Sequence, residues 1–214
     1  MTSQTRTQIS AGRLIAILRG IKPPEVEDVV AGLIKAGFTS IEIPLNSPDP
    51  FRSIKIAAEI SAGQCMIGAG TVLTNRDVDA LHNAGGVLMV SPNVNPVVIK
   101  HAISLGMSVA PGVFTTTEAL TAIEAGARSL KFFPASILGP EGISAIRAIL
   151  PTGIELIAVG GVSERDFPAY VTKGITSFGL GSSLYKPGDS APTVVAKAED
   201  AMVKYLEVIT VGKR

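Results

Sequence analysis

Short apolar runs alternate with amphipathic stretches along most of the chain. Residues 14–18, 40–44, 65–69, 87–90, 107–110, 129–132, 155–159 and 176–180 form eight apolar runs of strand length. Runs this short and this apolar fit strands buried on both faces. A glycine stands ahead of each: Gly12, Gly37, Gly63, Gly85, Gly106, Gly126, Gly153 and Gly174, spaced by roughly 20 to 27 residues. Each suits the position just past a helix, where the backbone turns left-handed and glycine has no Cβ to clash.

The intervening stretches carry helix-start signals. Pro23-Pro24 opens a segment whose Val26, Val29, Val30, Leu33 and Ile34 share one face. Asn95-Pro96 pairs a capping side chain with a proline suited to the first helical turn. Thr115 with Glu118, and Ser163 with Asp166, have capping-box spacing. Strands alternating with such helices predict a parallel sheet covered by helices, and eight units predict a closed (β/α)8 TIM barrel of the α/β class. An open doubly wound sheet is the alternative. No linker or low-complexity stretch divides the chain, so one barrel domain is expected over residues 13–214, preceded by a loose N-terminal segment over residues 1–12.

Composition narrows the choice. Nineteen basic residues face eighteen acidic ones in 214, a balance that offers no polycationic surface for nucleic acid or an anionic membrane. The apolar runs are too short and too often broken by Gly or Pro for a membrane span. The single cysteine, Cys65, has no internal partner and falls in a strand-like run, so a core position is expected. A soluble, cytoplasmic protein follows as the expectation.

In a barrel of this kind, functional groups gather at the C-terminal ends of the strands. Lys131 stands out there, in Ser129-Leu130-Lys131-Phe132-Phe133-Pro134, where a buried strand calls for an apolar side chain. Burying an ammonium favours the neutral amine, a nucleophile toward carbonyls and the basis of Schiff-base chemistry. A strand-end lysine that snorkels to water is the other reading. Glu42, in Ile41-Glu42-Ile43-Pro44, is expected to point into the barrel with a raised pKa, suited to general acid/base work. An ion pair with Arg19 or Lys131 is its structural alternative. Arg19, after the first strand, suits a substrate carboxylate or phosphate.

Gly160 and Gly161 follow the seventh strand, and Gly181 and Ser182 follow the eighth. Barrels often bind phosphate between those two loops through backbone N–H groups, and glycine permits the close approach. His82 and His101 fall in helical stretches, and no His, Asp and Glu grouping has metal-ligand spacing. No G-x-G-x-x-G follows the first strand, so neither a metal nor a nucleotide cofactor is expected.

These motifs resemble the class I 2-keto-3-deoxy-6-phosphogluconate and -galactonate aldolases, the KDPG/KHG aldolase family. The resemblance spans about Leu14 to Tyr185 and rests on residues 14–20, 42–48, 67–72, 91–93, 130–134 and 159–162. It implies Lys131 as the Schiff-base lysine, Glu42 as the general acid/base and Arg19 as a substrate-carboxylate contact. It further implies Thr71, Pro92 and Phe133 lining a pyruvate pocket, Gly160, Gly161, Gly181 and Ser182 holding phosphate, and a homotrimer with no cofactor beyond the covalent lysine. The implied substrate is a phosphorylated keto-deoxy sugar acid.

Within that family, Asn46-Ser47 stands where the gluconate branch typically has Arg-Thr, Val159 where it has Thr, and Ser136 where it has Glu. All three resemble the galactonate branch, whose substrate is the C4 epimer. A threonine hydroxyl can hydrogen-bond one orientation of the C4 hydroxyl, whereas valine cannot. Phe132-Phe133-Pro134-Ala135 is common in the gluconate branch as well. The gluconate aldolase, another phosphate-binding barrel enzyme such as a sugar-phosphate epimerase or a thiamine-phosphate-type synthase, and a catalytically silent barrel that senses a phosphosugar stand as alternatives.

Overall fold

Every apolar run with a described position becomes a strand, and all pair in parallel around one axis in the computed structural model, which describes residues 13–211. The expected loose segment over residues 1–12, with Gly12, lies outside the described residues, as do residues 212–214. The strands are β1 (Leu14–Ile17), β2 (Ser40–Glu42), β3 (Met66–Ala69), β4 (Leu88–Val90), β5 (Ser108–Ala110), β6 (Gly112–Val113), β7 (Ser129–Phe132), β8 (Glu155–Val159) and β9 (Ser177–Leu180). Around them run α1 (Pro23–Lys35), α2 (Pro50–Ser61), α3 (Asn75–Asn83), α4 (Pro96–Ser104), α5 (Thr116–Glu124), α6 (Ala135–Arg147), α7 (Phe167–Val171) and α8 (Ala191–Val211).

The ladder order is β5-β4-β3-β2-β1-β9-β8-β7-β6. Its two ends, β5 and β6, are consecutive in the chain and separated only by Pro111. Eight strands were expected and nine segments form, because proline has no N–H with which to continue a ladder. The fifth stave therefore bends at Pro111: β5 pairs with β4, and β6 pairs with β7. The Pro111 carbonyl accepts the Lys131 N–H at 2.9 Å, so the bend itself anchors the backbone of Lys131. The fold is a TIM barrel.

Helix signals carry over. Asn95 accepts from the Val97 N–H, and Thr115 and Glu118 form a reciprocal capping box. Asp166 accepts from both the N–H and the hydroxyl of Ser163, but the helix proper starts only at Phe167. Gly37 and Gly126, at φ 98° and 105°, show the left-handed turn that ends the helices before β2 and β7.

Two layers of apolar side chains follow from strand alternation. The larger lies between strands and helices and includes Ile41, Ile43, Leu130 and Phe132. The smaller fills the barrel interior with Ile15, Ile17, Leu88, Val90, Ala110, Ile157 and Val159. Cys65 is buried just ahead of β3, and burial pushes its thiol up to about 12. The N-terminal mouth is closed by polar groups. Arg13 makes two 3.0 Å bonds to the Glu155 carboxylate, which also accepts from Ser129 and Ser177, and its third nitrogen reaches Ser40.

Candidate functional site

Period-two alternation puts Leu130 and Phe132 toward the helices and Lys131 toward the axis, where it is 6% exposed. The same rule, applied to Ile41-Glu42-Ile43, turns Glu42 inward to 1% exposure. Both line one small cavity of about 10 Å³ inside the barrel, whose remaining wall includes Ile17, Val90, Ile157 and Val159. The site is a small apolar chamber holding one amine and one carboxyl.

Burial pushes the Glu42 carboxyl above its ordinary value of 4.5, opposed in part by the charges of Lys131 and then Arg19. Its Oε2 is buried without a hydrogen-bond partner. A carboxyl in that state resists ionisation in the closed protein and leaves one oxygen open to whatever enters the chamber. The expected alternative of an ion pair is not realised: among the described residues neither Lys131 nor Arg19 bonds to Glu42. Arg19 is exposed at the rim and donates to Asn46 Oδ1 at 2.6 Å.

Glycine makes room for this arrangement just past β3. A Cβ on Gly70 would overlap Glu42 Oε2 and come within 2.9 Å of Cδ. Gly112 is similar, since a Cβ there would press on the backbone of Ser91 and Pro92 where the fourth and fifth staves meet. The sequence signal was present in both cases, a glycine inside or just past a short strand. Only the neighbour was missing.

The remaining expected residues surround the mouth. Thr71 follows Gly70 at φ 60°, a left-handed conformation unusual for a β-branched residue and one that tends to occur at functional sites. Pro92 is exposed on the rim after β4. The Phe133 ring has its centroid 5.1 Å from Lys131 Nζ and also packs on Gly160, where a Cβ would sit 2.8 Å from Cδ2. Val159 is 5% exposed and faces the interior.

Gly160 and Gly161 are both left-handed, at φ 90° and 72°, and the Gly160 carbonyl accepts from the Ser136 N–H at 3.0 Å. The Gly181 carbonyl accepts from Leu184 and Tyr185, so residues 181–185 form a helical turn. The first N–H groups of such a turn, beginning with Ser182, find no partner within it. Ser182 is exposed beside the barrel mouth. His101 instead pairs with Asp79 between α3 and α4, and His82 is exposed, both away from the chamber. Among the described residues no group of His, Cys, Asp and Glu is arranged to hold a metal ion.

Comparison with known proteins decides between the barrel families. Residues 6–194 match the aldolase family described as KDPG and KHG aldolase. The chain belongs to that family. It is therefore a carbon–carbon lyase. Among relatives of the KDPG/KHG aldolase, a probable 2-dehydro-3-deoxy-6-phosphogalactonate aldolase of Rhizobium meliloti (strain 1021) is 62% identical over 192 residues, covering 90% of this chain and 91% of that protein. The 2-dehydro-3-deoxy-6-phosphogalactonate aldolase of Escherichia coli (strain K12) is 45% identical, covering 92% and 96%. A solved structure described as native KDPGal matches with a TM-score of 0.90 at 43% identity, covering 98% of this aldolase and 100% of that chain. Curated gluconate relatives are more distant, at 32% identity for the Treponema pallidum (strain Nichols) protein over 68% of this chain.

Proposed function

We propose that this enzyme is a class I aldolase that cleaves 2-dehydro-3-deoxy-6-phospho-D-galactonate to pyruvate and D-glyceraldehyde 3-phosphate. The observation that carries the chemistry is the convergence of Lys131 and Glu42 on one apolar chamber, with Glu42 Oε2 unpaired. Support for the galactonate epimer comes from Val159 on the chamber wall and from the two relatives at 62% and 45% identity that bear the galactonate name.

The steps follow from those groups. The Lys131 amine in its neutral form attacks the C2 ketone to give a carbinolamine. Protonated Glu42 gives its proton to the carbinolamine hydroxyl, which leaves as water, and an iminium and the Glu42 carboxylate remain. Glu42, now a carboxylate because it has given up its proton, takes the proton of the C4 hydroxyl directly or through a water. The C3–C4 bond breaks, its electron pair flows into the iminium to form an enamine, and C4 leaves as the aldehyde of glyceraldehyde 3-phosphate. Protonation of the enamine at C3 and hydrolysis of the imine release pyruvate and restore the lysine. The iminium is the electron sink, so the scheme requires no metal and no cofactor beyond Lys131.

Arg19 binds the substrate carboxylate, Thr71, Pro92 and Phe133 shape the pyruvate end, and Gly160, Gly161, Gly181 and Ser182 offer N–H and hydroxyl donors to the phosphate. A cytoplasmic homotrimer is the assembly we infer, on the resemblance to the family. The experiment is pyruvate release, coupled to lactate dehydrogenase, with the two C4-epimeric 6-phosphates in parallel. The galactonate epimer is expected to have the higher kcat/KM; a preference for the gluconate epimer would overturn the substrate assignment, and no release from either would overturn the aldolase.

A further inference from the structure

Asn46 and Ser47 together clasp the loop that carries Arg19. Arg19 donates to Asn46 Oδ1 at 2.6 Å, and the Gly20 N–H donates to Ser47 Oγ at 2.9 Å. Arginine has donors only, so the Asn46 amide must turn its oxygen to the guanidinium. The clasp stands on fixed ground. Leu45 donates its N–H to the Gly70 carbonyl, Ser47 donates to the Pro44 carbonyl, and Ser47 is 6% exposed. On the other side Gly20 lies against Pro187, which a Cβ at position 20 would meet at 2.7 Å from Cγ. The Arg19 backbone is thus held by its neighbours and its side chain by Asn46.

We propose that Asn46 is a positioning residue that holds the Arg19 guanidinium in place over the barrel mouth for the substrate carboxylate. This rests on the reading of Arg19 given above. An exposed arginine on a free stem must be ordered each time a ligand arrives, and an acceptor already in place removes part of that cost. Arg19 is exposed, yet its charge opposes the upward shift at Glu42, so the guanidinium is within electrostatic reach of the chamber. The asparagine is also neutral. An arginine at position 46 could not accept from Arg19 and would repel it, so this way of holding Arg19 depends on the Asn46-Ser47 pair.

The test is a double-mutant cycle read in KM and kcat for the galactonate epimer, with Asn46→Ala, Arg19→Ala and the double variant, and a thermal melt of each. Asn46→Ala is expected to raise KM about five- to tenfold with kcat within about twofold of the parent, the loss of one preordered side chain. Arg19→Ala is expected to raise KM further, and Asn46→Ala to add nothing in that background, with melting temperatures alike. Equal multiplication of KM by Asn46→Ala in both backgrounds would overturn the positioning role while leaving the aldolase intact. An unchanged KM in Arg19→Ala would remove the carboxylate role of Arg19 and this inference with it.

Discussion

The carboxylate of Glu42 lies over Gly70 so closely that no side chain fits at position 70 while Glu42 keeps its place. β2 and β3 pair Glu42 with Gly68, and Gly70 lies two residues further along, on the same side of the chain. The absence of a side chain is what allows a buried carboxyl to share the chamber with Lys131.

Gly70→Ala is therefore expected to push Glu42 off its position. Cleavage should fall by at least tenfold, and stability by about 1–3 kcal/mol from overpacking. Steady-state kinetics beside denaturant titration checks this, and full activity in Gly70→Ala would show that the Glu42 geometry is unimportant.

Glu42→Gln should slow turnover by roughly 10²–10⁴-fold, the usual worth of a positioned acid/base. It should also remove a pH effect on stability. Because burial raises the Glu42 pKa in the folded protein, the folded state keeps a proton that the unfolded chain has already lost above 4.5. Stability then declines as pH rises from 4.5 through the folded-state value. Glutamine has no such proton to lose. Melting temperatures of the two proteins at about pH 4 and about pH 8 should show the variant gaining on the parent at the higher pH. A constant difference would mean that Glu42 is not held protonated by burial.

Val159→Thr places a hydroxyl on the chamber wall. It is expected to raise the ratio of gluconate to galactonate kcat/KM by about tenfold, since a hydrogen bond offered to one C4 orientation is denied to the other. Parallel progress curves with both epimers give the ratio, and an unchanged ratio would place the epimer selection elsewhere.

At the opposite end of the barrel, Arg13→Ala should cost about 3–5 kcal/mol, because it leaves the partly buried Glu155 carboxylate without its bidentate partner. KM should not change, since the pair lies at the N-terminal mouth. Urea denaturation and kinetics on the same preparation separate the two effects.

Lys131 and Glu42 were legible in the sequence because each is a charged residue in a strand-length apolar run, and strand period alone turns both inward. The glycines between helix and strand were legible for a similar local reason. Arg13 and Glu155 were not: 142 residues separate them, and only closure of the barrel brings them together. Arg19 was placed on the correct rim, but its partner proved to be Asn46 rather than Glu42, a choice made by loop conformation that no periodicity encodes. The split of the fifth stave had a visible cause, Pro111, whose consequence depends on which neighbours lie on either side.

Borohydride reduction in the presence of pyruvate, followed by peptide mass spectrometry, tests the Schiff-base role of Lys131 most directly. One stable pyruvate adduct located on Lys131, absent from a folded Lys131→Met variant that has lost turnover, is the predicted result. An adduct on another lysine, or appreciable cleavage by Lys131→Met, would contradict it.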